Sequence, residues 1–282
     1  MDDILNSLPI DIGDIRFMGG ENKENFKVYG KDGIYFLTIK DYEKEGYFDN
    51  LALSLDLLKL NHIKAPRLID KGDIKGKSFI LTTYLNEGRS RSQKDLAGLI
   101  GKIHKIKSPK SKFGFDYPSF IGSLDFPNSY KDSWQEFFIE RLDRLVKSLR
   151  EKEVFKNKDL LTYKRLRKII IRLLDDHKSD PVLVHGNLSE GNLMFLEDGN
   201  PAVYNLLSFY GDREFDLASS TIYEGFNQEF YQSFGKSLDM DERFSLRLEF
   251  YRLYTYLLYL NQDGNMYRNI VDSSVSKILR NY

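Results

Sequence analysis

The sequence contains no cysteine among its 282 residues. This absence excludes disulfide bonds, thiolate catalysis and metal sites built from cysteine. It also excludes a redox switch based on thiols. The chemistry of the chain must therefore come from its carboxylates, amides, hydroxyls and amines, and from four histidines.

A surplus of charge is also missing, because 42 Lys and Arg residues balance 42 Asp and Glu residues. Proteins that bind nucleic acids or membrane surfaces usually carry a basic excess, so this balance argues against both kinds of partner. No apolar run approaches the roughly 20 residues that span a membrane, and the acidic start, Met1-Asp2-Asp3, does not resemble a signal peptide. We therefore expect a cytoplasmic protein whose partner is a small molecule or another protein.

Alternating and helical apolar patterns predict an α+β protein with two lobes. Residues 1–84 predict a small β-rich lobe with one helix at about 45–60, residues 85–89 a hinge, and residues 90–282 a larger, mainly helical lobe. The predicted strands of the first lobe are Ile15–Met18, Asn25–Tyr29, Ile34–Ile39, Arg67–Asp70 and Ser78–Tyr84. The predicted helices of the second lobe span about 92–107, 130–150, 158–177, 227–237, 241–261 and 266–280, with a strand cluster inserted at 182–204.

The most informative segment, residues 181–219, places Asn187, Asn192 and Asn205 next to short apolar runs. Asn187 and Asn192 lie on one loop between predicted strands, and Asn205 follows the third strand of the cluster, so we expect the three side chains to project into one site. The layout is that of an active centre for phosphoryl transfer to an alcohol, where an aspartate accepts the hydroxyl proton and a second carboxylate holds Mg²⁺. An amide is too weak a base for that proton and brings no negative charge to the cation.

Two motifs in this segment are similar to those of a known family. Residues 185–192, HGNLSEGN, resemble the HGDLWSGN loop of fructosamine (ketosamine) kinases, which belong to the aminoglycoside-phosphotransferase-like kinase superfamily. Residues 202–218, AVYNLLSFYGDREFDLA, resemble the family segment VIFDPASFYGDREFDLA. Further matches at 113–117, 120–122 and 134–138 extend the resemblance over essentially the whole chain. It implies a two-lobed, protein-kinase-like fold that binds ATP.

The departures from the family pattern fall on its catalytic groups. Asn187 corresponds to the general-base aspartate and Asn205 to the metal-binding aspartate. Thr38 corresponds to the lysine of the N-terminal lobe, although Lys40 lies two residues on and would point to the same face of a strand. Leu51 matches the glutamate that pairs with that lysine. Because the loss of a positioned base alone costs about 10²- to 10⁴-fold in rate, these departures predict impaired catalysis.

Other features of the family remain. Gly19, Gly20 and Asn22 lie in a segment that resembles the family's glycine-rich loop, in which backbone N–H groups approach phosphates closely. Such a Gly-Gly pair taken alone is more often a plain turn. Asn192 matches the other metal-side ligand, and Asp216 matches the carboxylate that braces the catalytic loop through its backbone. The nucleotide-binding residues that the resemblance implies are Gly19, Gly20, Asn22, Thr38, Lys40, Tyr84 and Leu85.

Two functions stay open at this point. The first is a pseudokinase that has lost catalysis but keeps a cleft for a nucleotide, a sugar-like ligand or a partner protein. The second is an active ATP-dependent kinase that phosphorylates a ketoamine or another hydroxylated small molecule. In the second case other groups would take over the missing roles, and the candidates are Lys40, Glu190, Asp198 and Asp216. The substitutions favour the first function, with ATP as the expected ligand and only a weak magnesium site at the two metal-side asparagines.

Overall fold

The computed structural model describes residues 1–20, 22–42, 45–122, 124–222, 224–236, 238 and 240–282, with only the backbone of Asp263 and Asn265. Within these ranges the chain forms a five-stranded antiparallel sheet followed by a mainly helical part. The predicted α+β class, with the strands in the N-terminal part and most helices after it, is therefore confirmed.

The N-terminal sheet has the strand order β1-β2-β3-β5-β4. The hairpin β2–β3 keeps an unbroken antiparallel register from the pair Glu24–Ile39 at its open end to Gly30–Gly33 at its turn. The helix α1 was not predicted, and β1 and β4 are longer than the sequence indicated. The elements are α1 (Asp2–Ser7), β1 (Ile12–Gly19), β2 (Glu24–Gly30), β3 (Gly33–Asp41), α2 (Asp49–Leu60), β4 (Leu68–Ile74) and β5 (Lys77–Thr83).

The C-terminal part is built around long helices whose limits follow local capping. The helix α4 begins at Trp134 rather than at 130, because the hydroxyl of Ser133 accepts a hydrogen bond from the Glu136 N–H at 3.1 Å. The short helix α6 was not predicted. The helices are α3 (Gln93–Ile103), α4 (Trp134–Glu151), α5 (Asn157–Asp175), α6 (Arg213–Ser220), α7 (Gln228–Gly235), α8 (Phe244–Asp263) and α9 (Arg268–Asn281).

Three short antiparallel strand pairs complete the C-terminal part that the structure describes. Two of them hold the loops of the candidate site: β8 pairs with β11, and β9 pairs with β10. The sequence predicted the cluster at 182–204 but missed its partner strand β11. The strands are β6 (Ser119–Ile121), β7 (Leu124–Phe126), β8 (Val182–Val184), β9 (Leu193–Phe195), β10 (Pro201–Val203) and β11 (Phe209–Gly211).

A buried aromatic cluster makes these short strands rigid. Trp134 stacks on Phe209 of β11 with 6.2 Å between ring centroids, and Phe215 of α6 packs edge-on against Phe209 at 5.4 Å. The indole N–H of Trp134 donates to the hydroxyl of Tyr251 at 2.7 Å. Aromatic side chains bury large areas and favour such stacked and edge-on contacts. The cluster therefore fixes β11 and α6, which flank the candidate site, to α4 and α8.

The segment predicted as a hinge, residues 85–89, contacts the strand cluster of the helical part. The Gly88 N–H donates a hydrogen bond to the Phe195 carbonyl at 2.6 Å. The helix expected from residue 45 begins at Asp49, after a turn closed by the Asp49 N–H and the Gly46 carbonyl. Among the described residues, every helix is too short or too polar to cross a membrane.

Candidate active site

A cleft of about 1500 Å³ lies between the N-terminal sheet and the helical part. Its walls come from β2, β3, α2 and the loops that follow β8 and β10. Six predicted site residues line it together, namely Asn22, Thr38, Lys40, Asn187, Asn192 and Asn205. The other predicted site residues lie outside the described lining, namely Gly19, Gly20, Tyr84, Leu85 and Asp216.

The loop after β8 is held from beneath by the carboxylate of Asp216. This carboxylate is completely buried and accepts hydrogen bonds from the backbone N–H groups of His185 at 2.7 Å and Gly186 at 2.9 Å. It also lies 2.9 Å from Nε2 of His104. Burial by itself would raise the pKa of Asp216, but the hydrogen bond and charge of His104 hold that pKa below its ordinary value. Asp216 is thus an anion that braces the loop and does not line the cleft.

Gly186 allows this loop to turn sharply toward the cleft. Its φ angle is +76°, in the left-handed region, and a Cβ atom there would lie 2.1 Å from the carbonyl oxygen of Leu207. Glycine is therefore required both by the backbone conformation and by the close approach of the neighbouring chain. Because His185 is buried, the pKa of its imidazole is lowered, and the ring can accept a hydrogen bond from the Asn187 N–H through Nδ1 at 3.2 Å.

Asn187 occupies the position predicted for the general base. It is half-buried, lines the cleft and carries an amide where proton abstraction needs a carboxylate. The side-chain N–H₂ of Asn192 donates to the Asn187 carbonyl at 2.8 Å and to the Ser189 hydroxyl at 3.1 Å. Ser189 stands where the resembling family has tryptophan. The loop is therefore well ordered by hydrogen bonds, although its central side chain cannot take a proton.

Asn205 meets Asn192 across the cleft floor. Its side-chain N–H₂ donates to Oδ1 of Asn192 at 3.2 Å, and the backbone N–H of Tyr204 donates to the Asn192 carbonyl at 3.0 Å. Asn205 adopts a left-handed conformation with φ of +52°, which asparagine tolerates better than most residues. The two residues that the sequence assigned to a metal site are thus adjacent, and they are joined to each other by a hydrogen bond.

This pair does not fit a magnesium ion. Mg²⁺ is usually held by one or two carboxylates together with substrate phosphates. Here both side chains are neutral, and the Asn192 oxygen that a cation would use already accepts a hydrogen bond from the Asn205 amide. Both carboxylates on the described lining are paired elsewhere: Asp41 with Lys77 at 2.5 Å, and Asp125 with Arg144. The described residues at this position therefore give Mg²⁺ no anionic ligand.

The acidic residues considered as replacements lie away from the described lining of the cleft. Glu190 is exposed and packs against Gly225. Asp198 is in an exposed turn, where the Asn200 N–H and then Lys64 lower its pKa to about 2. Asp216 is buried beneath the loop. Of the proposed replacements, only Lys40 has its side chain in the cleft, and an ammonium group is an electrostatic group rather than a base here.

On the sheet side, the residues at the family's lysine and glutamate positions make no ion pair. The hydroxyl of Thr38 donates to Oδ1 of Asn25 on the neighbouring strand at 3.0 Å. Leu51 lines the cleft as an apolar residue of α2. Lys40 lines the same face as Thr38, as the alternation of a strand predicts.

Two residues of the site were missed by the sequence analysis. Lys23 lines the cleft just before β2, and its register across from β3 could have been read from the hairpin turn. Asn50 of α2 is buried and donates to the carbonyl of Ser208 at 3.0 Å and to that of Tyr117 at 3.3 Å. It thereby ties the sheet side of the cleft to the helical side. No local pattern marks Asn50, since its partners are distant in sequence.

The fold belongs to the protein-kinase-like class, in which a β-rich part and a helical part flank a cleft. A solved aminoglycoside phosphotransferase, crystallised with ADP and hygromycin B, shares the fold with a TM-score of 0.72 over 99% of this chain and 97% of its own, at 15% identity. The family model for fructosamine kinase matches residues 11–281. This chain therefore belongs to the fructosamine kinase family.

Relatives with higher sequence identity agree with this assignment. A Staphylococcus aureus protein named a probable ketoamine kinase is 37% identical over 279 residues, covering 98% of this chain and 97% of its own. One of the same name from Lactiplantibacillus plantarum is 32% identical, with 90% of each chain covered. A solved candidate fructosamine-3-kinase from Haemophilus somnus has a TM-score of 0.85 and 28% identity, covering 96% of this chain and 92% of its own.

Proposed function

We propose that this protein binds ATP and a ketoamine-type molecule in the cleft, and that it transfers the phosphoryl group far more slowly than a kinase with an aspartate base. The ketoamine is the substrate class in the names of the relatives, and ATP use follows from the kinase family. The single observation that supports a slow rate is the amide of Asn187 at the position of the general base. Beside it, the metal position is occupied by the hydrogen-bonded amides of Asn192 and Asn205.

The expected loss follows from the chemistry of the hydroxyl group. Its proton must leave as the oxygen attacks phosphorus, and a positioned base contributes about 10²- to 10⁴-fold to such a step. Asn187 can accept a hydrogen bond from the hydroxyl and orient it, but cannot take the proton. The cleft can therefore keep its affinity for both ligands while it loses most of its rate.

A second candidate function is supported by a different observation. The relatives that match nearly the whole chain carry kinase names, and nothing in the comparisons indicates loss of catalysis. They favour an active ketoamine kinase more directly than an impaired one. In that case Lys40 would supply the positive charge of the family's lysine, which this chain replaces with Thr38. Thr38 and Lys40 line the same face of β3.

A turnover assay separates the two functions. Purified protein is incubated with ATP, Mg²⁺ and a fructosyl-lysine-type ketoamine, and the phosphorylated product is measured by mass spectrometry. We expect turnover at least about 10²-fold slower than that of an ordinary kinase, because the positioned base is missing. Turnover at about 1 s⁻¹ or more, typical of kinases, that is abolished in Lys40→Met would overturn the impaired function and establish the active one. The Lys40→Met sample also excludes a contaminating kinase as the source.

Binding is tested separately from turnover. ATP and the ketoamine, added singly and together, are expected to raise the melting temperature, because a ligand that binds only the folded state stabilises it. No shift with either ligand at millimolar concentration would overturn the binding part of the proposal, whatever the turnover assay gives.

A further inference from the structure

The open end of the β2–β3 hairpin brings two lysines together in the cleft. The last pair of the antiparallel register is Glu24 with Ile39, and Lys23 and Lys40 are the next residues on the two chain segments. The charge of Lys40 acts on Lys23. Both side chains line the cleft, on the same face as Asn25 and Thr38. Like charges directly across two strands destabilise the pairing. Such an arrangement persists at low cost only if an anion neutralises it or if the charge is reduced.

Neither lysine has a carboxylate within ion-pair distance among the described residues. This distinguishes them from Lys75 and Lys77 on the same lining, which pair with Asp3 at 2.8 Å and Asp41 at 2.5 Å. The Lys23 ammonium instead lies over the rings of Tyr47 and Phe48, 5.3 and 5.7 Å from their centroids. Burial, followed by the charge of Lys40, lowers the pKa of Lys23.

The backbone before Lys23 is shaped to keep it in the cleft. Gly20 has a φ angle of +135°, and a Cβ atom at this position would lie 1.7 Å from the carbonyl oxygen of Lys23. The chain therefore folds back on itself so closely that only glycine fits. The loop that the sequence analysis assigned to phosphate binding thus carries a cation, Lys23, to the cleft.

On the other side of the same cleft, the described residues at the metal position are the neutral side chains of Asn192 and Asn205, which are hydrogen-bonded to each other. A nucleotide phosphate chain still needs positive charge to leave water. Two ammonium groups supply the same charge as one Mg²⁺, and lysine is a common partner of phosphate. We propose that Lys23 and Lys40 bind the phosphates of ATP in place of a metal ion, so that this protein takes up the nucleotide in metal-free form. This inference rests on the proposed binding function.

Isothermal titration tests the inference directly. We expect ATP to bind with EDTA about as tightly as with Mg²⁺, within about threefold, which is under 1 kcal/mol. Lys23→Gln is expected to weaken metal-free ATP about tenfold or more, as for a lost charge-assisted hydrogen bond. Lys23→Arg, which keeps the charge, should restore most of the affinity. Adenosine, which has no phosphate, should bind equally to the wild type and to Lys23→Gln.

The matched control is Lys31→Gln, which removes the same charge at the exposed turn of the same hairpin and should leave ATP affinity unchanged. Strengthening of wild-type ATP binding by Mg²⁺ of more than about tenfold would overturn the inference while leaving the proposed function intact. So would an equal loss of ATP and adenosine in Lys23→Gln, since this would assign Lys23 to loop packing on Tyr47 and Phe48. Absence of ATP binding under both conditions would overturn the inference and the proposed function together.

Discussion

The side-chain N–H₂ of Asn205 donates a hydrogen bond to Oδ1 of Asn192 across 3.2 Å. The contact joins two loops that lie 13 residues apart in sequence, and it is reinforced by the backbone bond from Tyr204 to the Asn192 carbonyl. With an aspartate at 205 the same geometry would turn two oxygens toward one point, which is favourable only around a cation. The residue at position 205 thus decides whether the floor of the cleft holds a pair of amides or a metal-binding site.

We predict that Asn187→Asp with Asn205→Asp creates magnesium dependence before it creates turnover. The added carboxylates give a hard cation anionic ligands, whereas Thr38 and Leu51 still lack the ion pair that orients phosphates. By titration, Mg²⁺-ATP should bind the double variant at least about tenfold more tightly than ATP with EDTA, while turnover stays near the blank. Asn61→Asp adds a carboxylate on an exposed helix end away from the cleft and serves as the control. A double variant whose ATP affinity ignores Mg²⁺ would refute the prediction.

The turn at Gly186 gives a prediction with an internal control. Gly186→Ala is expected to lower the free energy of unfolding by more than the roughly 1–3 kcal/mol of a strained left-handed alanine, because its Cβ would also lie 2.1 Å from the Leu207 carbonyl oxygen. Gly199→Ala has nearly the same φ, +80° against +76°, but nothing within 4 Å of the added Cβ. The free energies of unfolding of both variants are measured by urea denaturation, and their difference gives the cost of the contact with the Leu207 carbonyl oxygen. Equal destabilisation would show that the loops relax apart without cost.

A buried network beside α6 predicts a pH dependence of stability. Nε2 of His177 lies 2.6 Å from Oδ2 of Asp212, which also accepts from the Tyr251 hydroxyl at 2.9 Å. Glu214 pairs with Arg247 at 2.7 Å in the same network. Burial lowers the pKa of His177, but the hydrogen bond and charge of Asp212, helped by Glu214 and opposed by Arg247, raise it above the ordinary 6.5. The Asp212 pKa is held below 3.8, since the hydrogen bond and charge of His177 outweigh the effect of burial.

The sign of the effect follows from linkage. The His177 contribution is fully present below pH 6.5 and is lost as pH rises through its higher folded pKa. The Asp212 contribution is present above pH 3.8 and is lost as pH falls through its lower folded pKa. We therefore expect the urea midpoint of the wild type to fall between pH 6 and pH 9 by more than that of His177→Gln. Parallel pH profiles of the two proteins would contradict this prediction.

The meeting of the three asparagines in the cleft was predictable from the order of the short strands and loops that carry them. Asn187 and Asn192 share a loop bounded by apolar runs, and Asn205 follows the next strand, so their meeting could be expected from the order of elements. The catalytic and binding roles given to the site residues stay predictions. One of them is Tyr84, which was predicted to contact the nucleotide. Its ring packs on Phe36 and beneath the Lys27 ammonium.

The sequence analysis missed the strand and the side chains whose positions depend on partners distant in sequence. The strand β11 exists because its three residues pair with β8, a partner some 25 positions earlier. Asn50 gives no local signal, since its amide is satisfied by carbonyls that only tertiary folding brings near. Lys23 was overlooked because an isolated lysine in a loop is normally solvated. Its placement depends on the register of the hairpin and on the tight turn at Gly20.

By itself, the sequence determined the order of the longer strands and helices, because apolar periodicity is local. It also determined the chemical nature of the two amide positions in the cleft, because an amide at 187 or 205 is neutral in any fold. Only the tertiary structure decided which groups are paired with one another. Hydrogen bonds and ion pairs depend on distances of a few ångströms between segments remote in sequence. Those distances join Asn192 to Asn205, bury Asp216 beneath the loop and place Lys23 and Lys40 on the lining of one cleft.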